Sequence, residues 1–327
     1  MVLPRGTLTS GDGNRLSVVS QPLEQKPHGV GRGILLAVIA YFIWGFLPAY
    51  FLLLAPASAL EIVSWRVLLS LVFCAILLTV TRKWRRLFIL LRTKRVVFTL
   101  AAAGVLILIN WLVYVFAVLN NQVVEAALGY FTNPIVTVLL GVFVLRERLR
   151  PAQWASIGIS AIAVIVLAIN YGSLPWIALA LAFSFGLYGL IKKRIGGTVD
   201  AVSGLTIETI WLAPLAIAQL IGFGLTTGLA IGSSAGQTVA MLLVGVVTAV
   251  PLLLFAGAAR RLPLTYIGLT QYLTPLLQFL FGILVEHEAM PPVRWAGFIL
   301  VWIALTVLTV DMFLSSRPSR RPDAAVA

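Results

Sequence analysis

Ten stretches of near-continuous apolar residues, at roughly 33–55, 60–81, 96–118, 123–145, 152–170, 174–191, 201–222, 238–258, 263–285 and 293–314, alternate with short polar links along the chain. Each approaches the ~20 residues that a helix needs to cross the hydrocarbon core. The runs lack the alternation of a barrel strand, and a helix satisfies its own backbone groups in lipid. The pattern predicts an all-α, polytopic membrane protein with ten transmembrane helices. Residues 1–30, rich in Gly, Ser, Pro and Gln, predict a disordered tail, and residues 315–327 a second polar tail. The first apolar run is too long for a signal-peptide core and follows a long polar stretch, so it is expected to remain as a span.

Composition agrees with that solvent. Of 327 residues 60% are hydrophobic and 11% charged, against roughly 25% charged in a soluble domain, and no aqueous surface can be built from so few charges. A soluble enzyme and an extramembrane receptor domain are thereby disfavoured. The net charge of +13 suggests nucleic acid only until the charges are placed. Counting the first tail and every second link after it, one side holds 22 of the 24 Lys and Arg. Arg294 lies on the opposite side and Arg66 inside a span. The positive-inside rule makes the basic side cytoplasmic, with both termini there. Orientation and lipid contact account for the charge without a nucleic-acid partner. In the link RKWRRLFILLRTKR, Trp84, Leu87, Phe88 and Leu91 recur at helical spacing. A short helix in the headgroup layer and a disordered basic loop are both open readings there.

Shifting the sequence by 141 positions lays GYFTNPIVTVLLGVFVLRERLRPAQW on TQYLTPLLQFLFGILVEHEAMPPVRW without a gap. Pro134 meets Pro275, Gly141 meets Gly282, Glu147 meets Glu288, Pro151 meets Pro292 and Trp154 meets Trp295, while Phe42 meets Phe183 and Gly45 meets Gly186. Five spans separate the copies, so the second half crosses the membrane in the opposite sense. Residues 31–171 and 172–314 are thus expected to be two inverted five-helix repeats. In secondary transporters built this way the solute site lies between the repeats near the bilayer midplane.

The stretches AYFIWGFLPAYF, EIVSWRVLLS, NWLVYVFAVLNNQVVEAALGYFTNP, LRERLRPAQW, LAFSFGLYGLIKKR and GLTQYLTPLLQFL resemble the RarD branch of the EamA family, within the drug/metabolite transporter superfamily. The resemblance runs from about Gly33 to Asp311. It implies a ten-helix inner-membrane permease with a central cavity lined by the first, third, fourth, sixth, eighth and ninth spans, the fifth and tenth being peripheral. Before the family's second-span arginine, Arg66, where a polar residue is expected, this chain has Trp65.

The polar residues inside the spans are the candidates for a solute path. Gly129, Asn133, Thr137 and Gly141 form a stripe at four-residue spacing, and Thr270, Thr274, Gln278 and Gly282 are their partners under the shift. The stripes can wall a path, since lipid offers polar groups no partner, or can let helices pack closely. Gln271 and Tyr272 precede the second stripe's Thr274 and join the path candidates. Trp44, Tyr114, Tyr130, Tyr188 and Tyr272 could stack on a planar or cationic solute, or serve as packing. Asn110 can bind solute or bridge helices. Pro134 and Pro275, both placed mid-span, are hinge or static-kink candidates.

Among the charges that fall within the spans, Arg66, Glu125 and Glu208 are the candidates. Arg66 falls about 9 Å and Glu125 about 5 Å below one boundary at ~1.5 Å per residue, depths that permit a salt bridge; Glu61 competes as partner, and recognition of an anion by Arg66 is the second reading. Glu208 falls roughly 12 Å in from the other side, where burial without a nearby cation would favour the neutral acid and make proton coupling possible. The spans contain no His and no nucleophile with a neighbouring base, Cys74 is the lone cysteine, and GxxxxGK[ST] is absent. No enzyme activity, metal site, bound cofactor or ATP-driven pumping is therefore expected. The function expected is secondary transport, with export favoured, of a small metabolite or drug. The alternative is a structural or signalling membrane subunit without a translocated solute.

Overall fold

A computed structural model describes residues 30–145, 149–171, 174–195, 198–259, 261–262 and 270–315. Among them the secondary structure is helical: α1 (Val30–Gly45), α2 (Leu47–Leu52), α3 (Ala59–Val80), α4 (Trp84–Leu91), α5 (Lys94–Leu119), α6 (Val123–Leu145), α7 (Pro151–Tyr171), α8 (Trp176–Ile195), α9 (Ala201–Leu225), α10 (Ala235–Ala259), α11 (Leu273–Leu284) and α12 (Pro292–Ser315). The chain is an all-α, polytopic membrane protein. Among the described residues seven helices, α3, α5, α6, α7, α9, α10 and α12, are long and apolar enough to cross a membrane; α1, α8 and α11 are shorter apolar helices there, at the other three predicted positions.

The shortening of α1 has a local cause. The first apolar run breaks at Phe46 and restarts at Leu47–Pro48, with a proline in the first turn where its missing N–H has no intrahelical role. The early part of the ninth predicted span, residues 263–269, lies outside the described residues, as do Glu147 of the repeat alignment and both tails.

The links gather at two ends of the bundle. At one end Glu61 accepts from the Ala230 and Ile231 amides, Gln237 reaches the Leu54 carbonyl, Glu125 accepts from the Ile177 amide and Glu288 from the Val124 amide. At the other, Arg86 pairs with Asp200 and Arg150 with Asp311. The helices pair α3 with α9, α6 with α8, α5 with α8, α1 with α10, α3 with α10, α6 with α11 and α7 with α12. Large apolar side chains such as Leu35, Phe98, Phe143, Ile169 and Leu225 remain exposed, the surface a lipid solvent calls for.

The link between α3 and α5 forms a helix, α4. Leu87 and Leu90 turn inward against Leu78, Leu100 and Ile207, while Trp84 and Phe88 stack on its outer side at 6.1 Å.

Candidate solute site at the centre of the bundle

Arg66 projects from α3 into the interior and is 4% exposed. Its guanidinium lies 4.2 Å from the centre of the Trp111 ring and 5.5 Å from that of Phe51, a cation held by aromatic faces. Tyr50, Tyr114 and Tyr130 are its phenolic neighbours. Nε and Nη1 have no hydrogen-bond partner, and among the described residues no carboxylate pairs with it. The expected bridge to Glu125 is not formed: that carboxylate accepts the Ile177 amide at 3.2 Å, and Glu61 is held by Ala230 and Ile231. Glu125 thereby satisfies an amide in the first turn of α8, a donor that a helix leaves unpaired, and Glu61 satisfies two amides of the link between α9 and α10.

Asn110, Trp111 and Tyr114 share one face of α5 beside this arginine. The Asn110 amide donates to the Leu181 carbonyl at 3.3 Å and Ser184 Oγ at 3.1 Å, and its oxygen accepts from the Tyr130 hydroxyl at 3.1 Å. It therefore bridges α5, α6 and α8. Neither the Tyr114 hydroxyl nor the Gln278 amide oxygen makes a hydrogen bond of full geometry, and the two are neighbours. Trp65 Nε1 is likewise buried and unpartnered.

The two stripes meet neighbouring helices. Asn133 donates to the Ala182 carbonyl on α8 at 3.2 Å and Thr274 to the Tyr41 carbonyl on α1 at 2.8 Å. Gln278 donates to the Trp44 carbonyl at 3.1 Å, and Thr137, exposed, bonds back to Asn133. Trp44 packs against Tyr41 and Phe255. Tyr272 stands apart, on a side cavity of 320 Å³ shared with Phe131, Trp302 and Thr306, and Gln271 is half-buried in the turn before α11. Helix α6 continues through Pro134. Pro275 is not mid-helix: it falls in the first turn of α11, where the amide it lacks would have had no intrahelical acceptor.

Glu208, fully buried on α9, does have a cation. Lys192 Nζ donates to its Oε1 at 2.7 Å and the Tyr188 hydroxyl to its Oε2 at 3.2 Å. Counting Lys192 with the basic link concealed it, yet Tyr188 and Lys192 are four residues apart and share a helix face. Gly204, one turn before Glu208, lacks the Cβ that would meet Nζ at 2.8 Å. Phe51, Trp111 and Tyr50 were missed as well, because aromatic residues in an apolar run carry no sign of what they surround.

Two carboxylates outside the spans are shifted in opposite directions. Burial pushes Glu288 up, more than the Val124 amide and the Arg294 charge pull it down. At Asp200 burial also pushes up, but the Ser203 amide and hydroxyl with the Arg86 and Lys83 charges outweigh it and hold the carboxyl below its usual range.

The EamA-like transporter family matches residues 31–169. Protein RarD of Streptomyces exfoliatus is 46% identical over 88% of this chain and 91% of its own length. Protein RarD of Escherichia coli is 40% identical over 88% and 96%, and an uncharacterized transporter of Vibrio cholerae 40% over 89% and 96%. A solved crystal structure, 18% identical, shares the fold with a TM-score of 0.56 over 88% of this chain and 99% of that one. With its helical membrane architecture and these full-length similarities, the chain belongs to the EamA family of membrane transporters, as a RarD-like member.

Proposed function

We propose that this protein is a secondary transporter that exports a small metabolite or drug across the inner membrane, through the interface of two inverted five-helix repeats, residues 31–171 and 172–314. The observation that carries the reading is the set of unpartnered buried groups, Arg66, Tyr114 and Gln278, contributed by α3, α5 and α11. Polar atoms without partners are costly in the interior of a bundle and are retained where a solute completes them.

The repeat reading is supported by contacts that exchange under the 141-residue shift. Asn133 to Ala182 becomes Thr274 to Tyr41, two side-chain-to-carbonyl bonds at equivalent places. Gly45 against Leu277 becomes Gly186 against Val136. The pairing of α6 with α8 likewise becomes that of α11 with α1. The basic links at one end support cytoplasmic termini.

Proton coupling through Glu208 belongs to this reading only if its pair with Lys192 separates during the cycle, because the expected burial without a nearby cation is not met. Reconstitution into liposomes with a panel of amino acids, amines and aromatic drugs tests the whole reading. Solute-dependent flux is the expected result, and flux no greater than in empty liposomes would overturn it. Unchanged proton dependence in Glu208→Gln would remove Glu208 from coupling.

A further inference from the structure

Resting on the transport reading above, we infer that the solute carries a single carboxylate on an apolar body, and that Arg66 receives the carboxylate. The guanidinium is buried with Nε and Nη1 free of protein partners, and the acids within sequence reach of it, Glu61 and Glu125, are committed to backbone amides. Trp111 and Phe51 hold the cation by their faces but accept none of its N–H groups in the way a carboxylate does. Burying a cation without an anion is disfavoured, and a guanidinium keeps its proton where a lysine would lose it, so the site does not escape the cost by neutralising.

The surroundings set the size of the anion's charge and the nature of its body. One cation serves the site, since Lys192 is already engaged with Glu208. A doubly charged phosphate would therefore be left half-compensated, whereas a monoanion is matched. The Tyr114 hydroxyl is a second unpartnered donor beside the guanidinium, and Trp111, Phe51 and Tyr130 line the rest with aromatic surface. Arg66, Phe51, Trp111, Tyr114 and Gln278 are each nine-tenths buried or more, so the carboxylate enters by opening of the bundle and is then enclosed.

The test uses the full chain in detergent and three acid–amide pairs of matched shape: benzoate and benzamide, phenylacetate and phenylacetamide, succinate and succinamide. Thermal unfolding reads binding, because a ligand of the folded state raises Tm by mass action. At least one monocarboxylate is expected to raise Tm by several degrees at millimolar concentration while its amide does not. Succinate is expected to do no better than the monocarboxylates. Arg66→Gln should abolish the shift, Arg66→Lys should keep a preference for acid over amide at about tenfold or more weaker binding, and Tyr114→Phe, which leaves the charge in place, should weaken it. Equal shifts by acids and amides, a shift that survives Arg66→Gln, or the same protection from sodium chloride would overturn the proposal. Liposome flux with the same pairs separates this proposal from the transport reading. Carboxylate binding without flux would remove transport and keep the anion site, whereas flux of neutral or cationic solutes without a preference for the acids would do the reverse.

Discussion

Lys192, in the last turn of α8, and Glu208, about two turns into α9, form an ion pair at 2.7 Å whose acidic member is fully buried while the lysine side chain remains 29% exposed. That asymmetry decides which partner can be lost. Lys192 without Glu208 can turn its long side chain toward water, but Glu208 without Lys192 is an uncompensated charge in the interior. Lys192→Met should therefore destabilise more than Glu208→Gln, by an amount near the lower end of the roughly 3–5 kcal/mol typical of a broken buried pair. The double variant should recover stability relative to Lys192→Met, and thermal unfolding of the four proteins in one detergent measures the coupling. Equal losses from the two single changes would show that burial of the carboxylate does not control the pair.

Asn110 uses both amide hydrogens and its oxygen across α5, α6 and α8. Interhelical hydrogen bonds in membrane proteins average about 0.6 kcal/mol, so Asn110→Leu should cost about 2 kcal/mol if all three are lost. The loss should appear as a lower midpoint in denaturing detergent. A change below about 0.5 kcal/mol would mean that the unfolded chain in the micelle satisfies these groups equally well.

The helical membrane fold was legible in the chain because its apolar runs are written in the identity of many residues at once. The central site is less legible. Arg66 stood out as a charge inside an apolar run, but its lack of a carboxylate depends on Glu61 and Glu125 turning to backbone amides of distant segments, 230–231 and 177. Depth along a helix brought Arg66 and Glu125 to similar levels and could not say which way either side chain faces. The same limit hid Lys192: its place in a run of basic residues fitted the positive side, while the atom that matters reaches back to Glu208. Pro275 shows another limit: a helix start at Leu273, inside one apolar run, places this proline in a first turn, which periodicity does not reveal.

Gly245 and Gly104 are partners under the 141-residue shift, and both let a helix approach the backbone of a neighbour. A Cβ at Gly245 would lie 2.4 Å from the Leu69 carbonyl carbon and oxygen, whereas one at Gly104 would lie 3.2 Å from the Glu208 carbonyl oxygen. Backbone cannot turn aside, so Gly245→Ala must push α10 away from α3, while Gly104→Ala needs a shift of a few tenths of an ångström. Overpacking of this kind costs typically ~1–3 kcal/mol. Gly245→Ala is expected at or above the top of that range and Gly104→Ala near the bottom, as read from their unfolding temperatures. The opposite order would place the tighter helix crossing at Gly104.

Asp200 gives a pH dependence with a definite sign. It sits at the N-cap of α9, where its carboxylate accepts the Ser203 amide at 3.1 Å and hydroxyl at 2.8 Å, with Arg86 at 3.4 Å. Burial raises its pKa, but these hydrogen bonds and the nearby positive charges outweigh burial, so the folded carboxyl titrates below the unfolded one. A group depressed in the folded state contributes stability that is complete above the unfolded pKa, about 3.9 for Asp, and is lost as pH falls through the lower folded value. Most of the contribution is the cap, worth about 1 kcal/mol, because Arg86 is largely exposed and a solvated pair adds little. Asp200→Ala should therefore lower stability by about 1 kcal/mol at neutral pH. The deficit should stay constant down to about pH 5 and narrow below about pH 4, as the wild-type carboxylate takes up its proton. Paired unfolding curves of the two proteins between pH 3 and 7 measure that gap, and one that widened on acidification would reverse the sign assigned to this carboxylate.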